Sequence, residues 1–400
     1  MRIRFYAYFY PPCVGGGEVI LQHQAEELVR RGHEVHVHVT PYTNLNLSTQ
    51  VDPGYSVEGG VHVWRRRSFR LPFHNPLETD AVTPAFLTDA MAPANLRIAV
   101  GYPSLHLDWL LARTRWAPAP LIVQNYITAD FLEEILASEG GRNKRLRARY
   151  WRHHVRRQLA RASAVIADSP AAARALEHHL GLTNVRTHIG MAVDPAEFAR
   201  LTPADGAAIR ARLRLGDDPI LLAPSRVSHQ KGADLLVRAL SGRLPDRWRC
   251  VVAGPVNEPA FAAEVDRLAA PLGDRYQRVT LPRAELLALM LESDIVCLPS
   301  RGETVGGVVF EGMYAGALAV VSDAVEAARE VYLSHEENGL LVRSADVDAL
   351  ADALTRAMSG GEDLAAMRAA GRAMVEAQYT WSRSVDHLLS LYDDARGQPT

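Results

Sequence analysis

The stretch from Ile220 to Gly254 reads ILLAPSRVSHQKGADLLVRALSGRLPDRWRCVVAG, and it has the pattern of a β-α-β unit. Ile220–Ala223 is a short apolar run, Ala233–Leu240 carries apolar residues at helical spacing, and Arg249–Ala253 is again strand-like. A strand that returns parallel after a helix is covered on both faces, so this unit predicts an α/β domain built on a parallel sheet. Downstream the alternation continues with helix Ala260–Leu268, strand Ile295–Leu298, a helix near Phe310–Ala315 and strand Ala319–Val321. Upstream it begins at the N-terminus, with strand Arg2–Tyr10, helix Glu18–Arg31 and strand Glu34–Thr40, then strands at Ile98–Val100, Leu121–Val123 and Ala164–Ala167. Two α/β halves of similar size are expected, one over residues 1–200 and one over 218–378. The linker is expected at 201–217, where Pro203 and Gly216 interrupt a helical pattern. From Trp381 to Asp393, Val385, Leu388, Leu389 and Tyr392 have amphipathic spacing, and segment 381–400 is expected to pack back on the first half. Between Tyr42 and Asp80, turn formers and the run Arg65–Arg66–Arg67 predict loops and short strands.

Composition narrows the function classes. With 48% hydrophobic and 22% charged residues over 400 positions, the chain has enough apolar surface for two cores and lacks the signature of disorder. Its 44 basic and 46 acidic residues leave a formal charge of −2, which removes the global field a nucleic-acid binder needs. Cys13, Cys250 and Cys297 are odd in number and form no CxxC pair, so a disulfide framework or zinc site is not indicated and a reducing cytoplasm is expected. The N-terminus has no signal-peptide pattern, and no apolar run reaches the roughly 18 residues of a membrane span, so any membrane contact is expected to be peripheral. Lys144 and Lys231 are the only lysines, which makes each a marked choice against 42 arginines.

Three segments carry chemistry, each between a strand and a helix. The first is Gly15-Gly16-Gly17-Glu18 after Pro11-Pro12. Consecutive glycines let backbone N–H groups at a helix N-terminus approach an anion or a hydroxylated ligand. The second is Ser225 to Gly232, where Arg226 and Lys231, five residues apart, can converge on a diphosphate, one as a planar fork and the other as a point charge. The third is Glu303-Thr304-Val305-Gly306-Gly307-Val308-Val309-Phe310-Glu311. It puts one carboxylate on a loop and another about a turn into a helix, with the amides of Thr304, Val305, Gly306 and Gly307 between them. Open α/β sheets bind ligands at the carboxyl ends of their strands, which is where all three segments fall.

In this order the segments resemble the retaining glycosyltransferases of family 4, which have the GT-B fold. The likeness extends to Arg30–Val37, to Ala253-Gly254-Pro255, to Ser293-Asp294 before Leu298–Ser300, and to Asn338–Val342. It implies an α/β fold of two Rossmann-like domains facing each other across a cleft, with a nucleotide sugar held mainly by the second. By that resemblance Arg226 and Lys231 hold the donor diphosphate, Glu311 the ribose hydroxyls and Glu303 a hydroxyl of the transferred sugar. Gly16, Gly17 and Gly254 line the donor site. The resemblance implies a nucleoside-diphosphate sugar as co-substrate, no metal and no other cofactor. Many members carry a histidine just after the strand matching Leu121–Val123; this sequence reads Gln124-Asn125-Tyr126 there, which assigns a sugar or acceptor contact to Asn125.

The expected activity is therefore metal-independent, configuration-retaining transfer of a sugar to an acceptor hydroxyl, with Glu303, Arg226 and Lys231 at the reacting centre. An epimerase of nucleotide sugars on the same fold, or a non-catalytic nucleotide-sugar binder, stands as the alternative. Partners are a small donor and a small acceptor, without nucleic acid. Residues 142–161 hold nine Lys/Arg and no acid; a peripheral contact with an anionic membrane is weighed there, but an ordinary surface helix burying Leu146, Tyr150, Val155 and Leu159 is preferred. His36 and His38 alternate on a strand without an evident third ligand and are read as structural. Asp346-Val347-Asp348 is read as a helix cap rather than a metal motif.

Overall fold

A computed structural model describes residues 1–13, 15–44, 47–69, 81–82, 92–101, 107–108, 119–137 and 141–397. The chain is α/β and forms two compact units, Met1–Met191 with Trp381–Thr400, and Ala192–Thr380.

The first unit is built on strands β1 (Arg2–Ala7), β2 (Glu34–Val39), β3 (Gly54–Glu58), β4 (Val61–Arg65), β5 (Leu96–Val100), β6 (Leu121–Asn125), β7 (Ala164–Ala167) and β8 (Val185–Thr187), in the order β8-β7-β6-β5-β1-β2-β4-β3. All pairs are parallel except β3 with β4. β1, β5, β6 and β7 are almost fully buried because helices cover both faces, which is why they read as continuous apolar runs. One face packs Leu21, Ala25 and Leu28 of helix Gly16–Arg30 and Val385, Leu388 and Leu391 of the C-terminal helix Trp381–Gly397. Polar contacts fix that helix in place: Arg31 donates to Asp386 at 2.7 Å and Gln24 to Ser384 at 3.2 Å. The opposite face packs Trp151, Val155 and Leu159.

The second unit holds β9 (Ile220–Ala223), β10 (Arg249–Ala253), β11 (Tyr276–Val279), β12 (Ile295–Leu298), β13 (Leu318–Ser322) and β14 (Leu340–Val342), all parallel, in the order β11-β10-β9-β12-β13-β14. Strand order therefore reverses between β1 and β5 in the first unit and between β9 and β12 in the second. These reversals open crevices at the carboxyl ends.

Two expectations change. Residues 201–217, expected as a linker, contain helix Pro203–Arg212 and cluster with the second unit, as do residues 192–200. The prolines begin helices rather than end them: Pro195 and Pro203 sit in first turns, behind Asp194, whose side chain accepts from the Ala196 amide, and behind the Thr202/Asp205 capping box. Helix Pro203–Arg212 is held to helix Arg283–Leu291 and its C-terminal Glu292 by Arg210–Glu292 at 2.5 Å and by the Arg212–Glu285 pair. The basic helix runs Arg142–Tyr150, makes one wide turn at Trp151–Val155 and ends at Leu159. Its buried face is Ala148, Trp151, Val155 and Leu159, while Leu146 is 48% exposed, because the small Ala148 completes the helical spacing that Leu146 breaks. Of the stretch 42–80, the described part forms β3, β4 and a two-residue strand at Ser68–Phe69; 70–80 lie outside the described residues.

His36 bonds Glu34 at 2.9 Å and His38 bonds Arg4 at 2.9 Å, and the Asp346 side chain caps its helix by accepting from the Ala349 amide. No helix among the described residues is long and apolar enough to cross a membrane.

Candidate active site

In the second unit the loop Ser225–Gly232 leaves β9 and Arg301–Gly306 follows β12, so the two flank the crevice where strand order reverses. Two glycines permit their close approach to other backbone. A Cβ on Gly232, whose φ is +71°, would lie 2.1 Å from the Pro299 carbonyl oxygen, and one on Gly254 would lie 2.1 Å from that of Ser225. Gly306 also has positive φ (+72°), and a Cβ there would meet Leu298 at 2.7 Å. It lets the chain turn from the loop into helix Gly307–Ala315.

The two loops are joined by polar contacts that the sequence reading missed. The Arg301 amide donates to the Gln230 carbonyl at 2.7 Å, and the Gln230 side chain donates to the Gly302 carbonyl at 2.8 Å. Arg301 also forks onto Asp234 at 2.8 and 2.7 Å and reaches the His229 carbonyl at 2.7 Å. These ties bring Lys231 into contact with Glu303 as a part-buried ion pair. Burial and the neighbouring Arg226 cation push the Lys231 ammonium down to about 8. Arg226 is exposed and makes no ion pair among the described residues.

Glu311 lies on helix Gly307–Ala315, bound at 2.8 Å by Arg283, which also holds Glu197 at 2.7 Å. Arg283 was likewise missed, since its partners are 28 and 86 residues away in sequence and follow no local period. Desolvation raises the Glu311 carboxyl above its usual range against the opposing pull of Arg283. Its Oε2 is buried with no hydrogen-bond partner, as are the hydroxyls of Ser228 and Ser300 beside the loops. A buried polar atom without a partner is costly unless a ligand supplies one, and these atoms can pair with hydroxylated or phosphorylated groups. Thr304 and Val305 belong to the same loop: the Thr304 carbonyl accepts from Ala327 at 2.9 Å and the Val305 carbonyl from the Tyr332 hydroxyl at 2.8 Å.

In the first unit Gly15 caps helix Gly16–Arg30, and Gly16 and Gly17 form its first turn. A Cβ on Gly17 would come within 3.0 Å of the Tyr126 ring, so the turn lies against the residue following β6, whereas Gly16 meets only Met191, at 3.7 Å. Asn125 ends β6. It is 2% exposed, and neither its amide oxygen nor its nitrogen has a partner.

The chain matches the family descriptions Glycosyltransferase Family 4 over residues 14–196 and Glycosyl transferases group 1 over 206–374. It is 30% identical to the D-inositol 3-phosphate glycosyltransferase of Mycobacteroides abscessus across 95% of this chain and 85% of that protein. It belongs to glycosyltransferase family 4. The enzyme of the same description from Xylanimonas cellulosilytica is 28% identical, with 95% of this chain and 92% of that one covered. Among solved structures, Anabaena Alr3699/HepE in complex with UDP superposes with a TM-score of 0.74 at 20% identity, covering 98% of this chain and all of that one. Sucrose-phosphate synthase of Thermosynechococcus elongatus gives 0.75 at 21% identity, covering 98% of each chain. This glycosyltransferase therefore has the GT-B fold, with a Rossmann-like sheet in each unit.

Proposed function

We propose that this glycosyltransferase moves a sugar from a nucleoside-diphosphate sugar to an acceptor hydroxyl with retention of configuration and without a metal ion. The observation that carries this reading is the pair of cations on one loop, Arg226 and Lys231, with Glu303 in contact with the lysine. A diphosphate entering beside Lys231 gains two positive charges, which supports its neutralisation by side chains instead of a divalent ion. Glu311, with its unpartnered Oε2, suits the ribose hydroxyls. Glu303, engaged by Lys231, suits a hydroxyl of the transferred sugar and is not placed as a free nucleophile. The bond from the anomeric carbon to the phosphate oxygen breaks while the acceptor oxygen attacks from the same face. The acceptor's proton passes to the departing phosphate, whose charge Arg226 and Lys231 stabilise. Asn125 is an amide and cannot exchange a proton in this step; its two unpartnered groups suit hydrogen bonds to a sugar or acceptor hydroxyl.

The relatives' description as D-inositol 3-phosphate glycosyltransferases recommends a phosphorylated cyclitol as the first acceptor to try. The test is a transfer assay with UDP-, GDP- and dTDP-sugars and D-inositol 3-phosphate in excess EDTA, with the product's anomeric configuration read by proton NMR. Retention in EDTA is expected. An inverted product, or activity that appears only when Mn²⁺ or Mg²⁺ is restored, would overturn the mechanism.

A further inference from the structure

The basic helix 142–159 with the following turn takes no part in the site above. Residues 142–161 bear nine Lys/Arg and no acid, whereas the whole chain carries −2, so the remainder is acidic by eleven charges. The structure shows how this charge is displayed. Ala148, Trp151, Val155 and Leu159 anchor one face of the helix in the core, and Arg145, Arg149, Arg152, Arg156 and Arg157 lie exposed along the rest. Among the described residues no carboxylate pairs with any of these five; Arg152 reaches only the Leu136 carbonyl, at 2.6 Å. A surface helix in an average protein is laced with opposite charges, and this one is not. Leu146 stands 48% exposed among these cations.

We propose that this face is a docking surface for an anionic lipid bilayer, lying flat on the headgroups with Leu146 entering the interface. The helix spans roughly 27 Å at 1.5 Å per residue, enough for several headgroups, and guanidinium forks pair well with lipid phosphates. A nucleic acid is the less suitable polyanion, because the two large rings of the helix are engaged and the His153 imidazole is the one ring left exposed among its described residues. Trp151 is 1% exposed, and Tyr150 is bonded to Asp108 at 2.9 Å and stacked on His154. An exposed leucine also has no role against a phosphodiester backbone. The carboxylates Asp130, Glu133 and Glu134 on helix Ala129–Leu136 limit the attractive surface on one side.

The test is co-sedimentation of the full chain with sucrose-loaded vesicles of phosphatidylcholine alone or mixed with phosphatidylglycerol, at several salt concentrations. Each Lys/Arg near an anionic surface contributes about fivefold to partitioning. Binding to the mixed vesicles is expected to exceed binding to phosphatidylcholine by at least about tenfold and to fall with salt. The triple substitution Arg149→Glu, Arg156→Glu and Arg157→Glu is expected to abolish it. The milder Arg149→Gln with Arg157→Gln, which keeps the helix uncharged at those positions, is expected to lower it by roughly 25-fold. Leu146→Ala is expected to weaken binding without altering the salt slope. Equal binding to both vesicle types, full binding by folded charge variants, or tighter binding to single-stranded RNA than to the mixed vesicles would each overturn the proposal.

Discussion

Lys231 is the residue on which the proposed donor site turns. Its ammonium is held down to about 8 by burial and by Arg226. A diphosphate favours the charged form, so donor binding above pH 8 must draw a proton from solvent. Donor affinity is therefore expected to be flat below about pH 8 and to fall by up to tenfold per pH unit above it. Titrating a nucleoside diphosphate from pH 7 to 9.5 checks this; Lys231→Arg, always protonated, should lose the break, and an unchanged break in that variant would exclude Lys231 as its source. Lys231→Ala is expected to raise the donor KM and lower kcat together, because the charge acts on both bound diphosphate and leaving group. The two glutamates should separate. Glu311→Gln is expected chiefly to raise the donor KM, and Glu303→Gln chiefly to lower kcat, each by about 1.5 to 3 kcal/mol or roughly 10- to 150-fold. A wild-type kcat in folded Glu303→Gln would remove that residue from the reacting centre.

At the scale of elements, the strands were legible wherever both faces are buried. Ile220–Ala223, Arg249–Ala253 and Ile295–Leu298 announce themselves as apolar runs because nothing polar is needed on either side. β3 and β4 fall where short strands were expected but could not be placed: β3 lies at the edge of the first sheet with Tyr55 49% and Val57 56% exposed, so its pattern is not that of a core strand. The glycine loop, Arg226, Lys231 and the two glutamates were readable because charge and glycine cluster there in sequence. The ties that hold them were not, since Arg301 finds Asp234 67 residues away and Arg283 finds Glu197 across 86. The wide turn at Trp151–Val155 leaves no local mark; of the expected face Val155 and Leu159 are buried, while Ala148 and Trp151 take the places expected of Leu146 and Tyr150.

The glycines give this scale its own test. Gly232→Ala must relieve a 2.1 Å approach to a backbone oxygen at positive φ, and Gly302→Ala meets nothing within 4 Å. The first is expected to cost at least about 1 to 2 kcal/mol and to weaken donor binding by moving Lys231. The second should do neither. Calorimetric melting checks the pair, at about 2 to 4 °C per kcal/mol for domains of this size; equal Tm values would contradict the assigned packing.

At the scale of the molecule, the chain runs through the first unit, builds the second from 192 to 380, and returns by helix Trp381–Gly397 to the sheet where it began. Arg31 ties that return through Asp386 and the Ser382 carbonyl and hydroxyl, at 2.7 to 2.8 Å. The two sheets share a design, a strand-order reversal with a glycine-bearing loop at its carboxyl end, but differ in charge. The first offers the buried amide of Asn125 and the half-buried ring of Tyr126, the second paired cations and carboxylates. The proposed function requires that the second unit's cationic loop receive a nucleoside diphosphate without a metal. Its most direct test is thermal unfolding of the full chain in excess EDTA with UDP, GDP or dTDP, for wild type and for Lys231→Ala. One of the three, at about 100 times its Kd, should stabilise the wild type by about 2.7 kcal/mol and the variant by much less. Stabilisation that is equal in the two proteins, or that requires added Mg²⁺ or Mn²⁺, would contradict it.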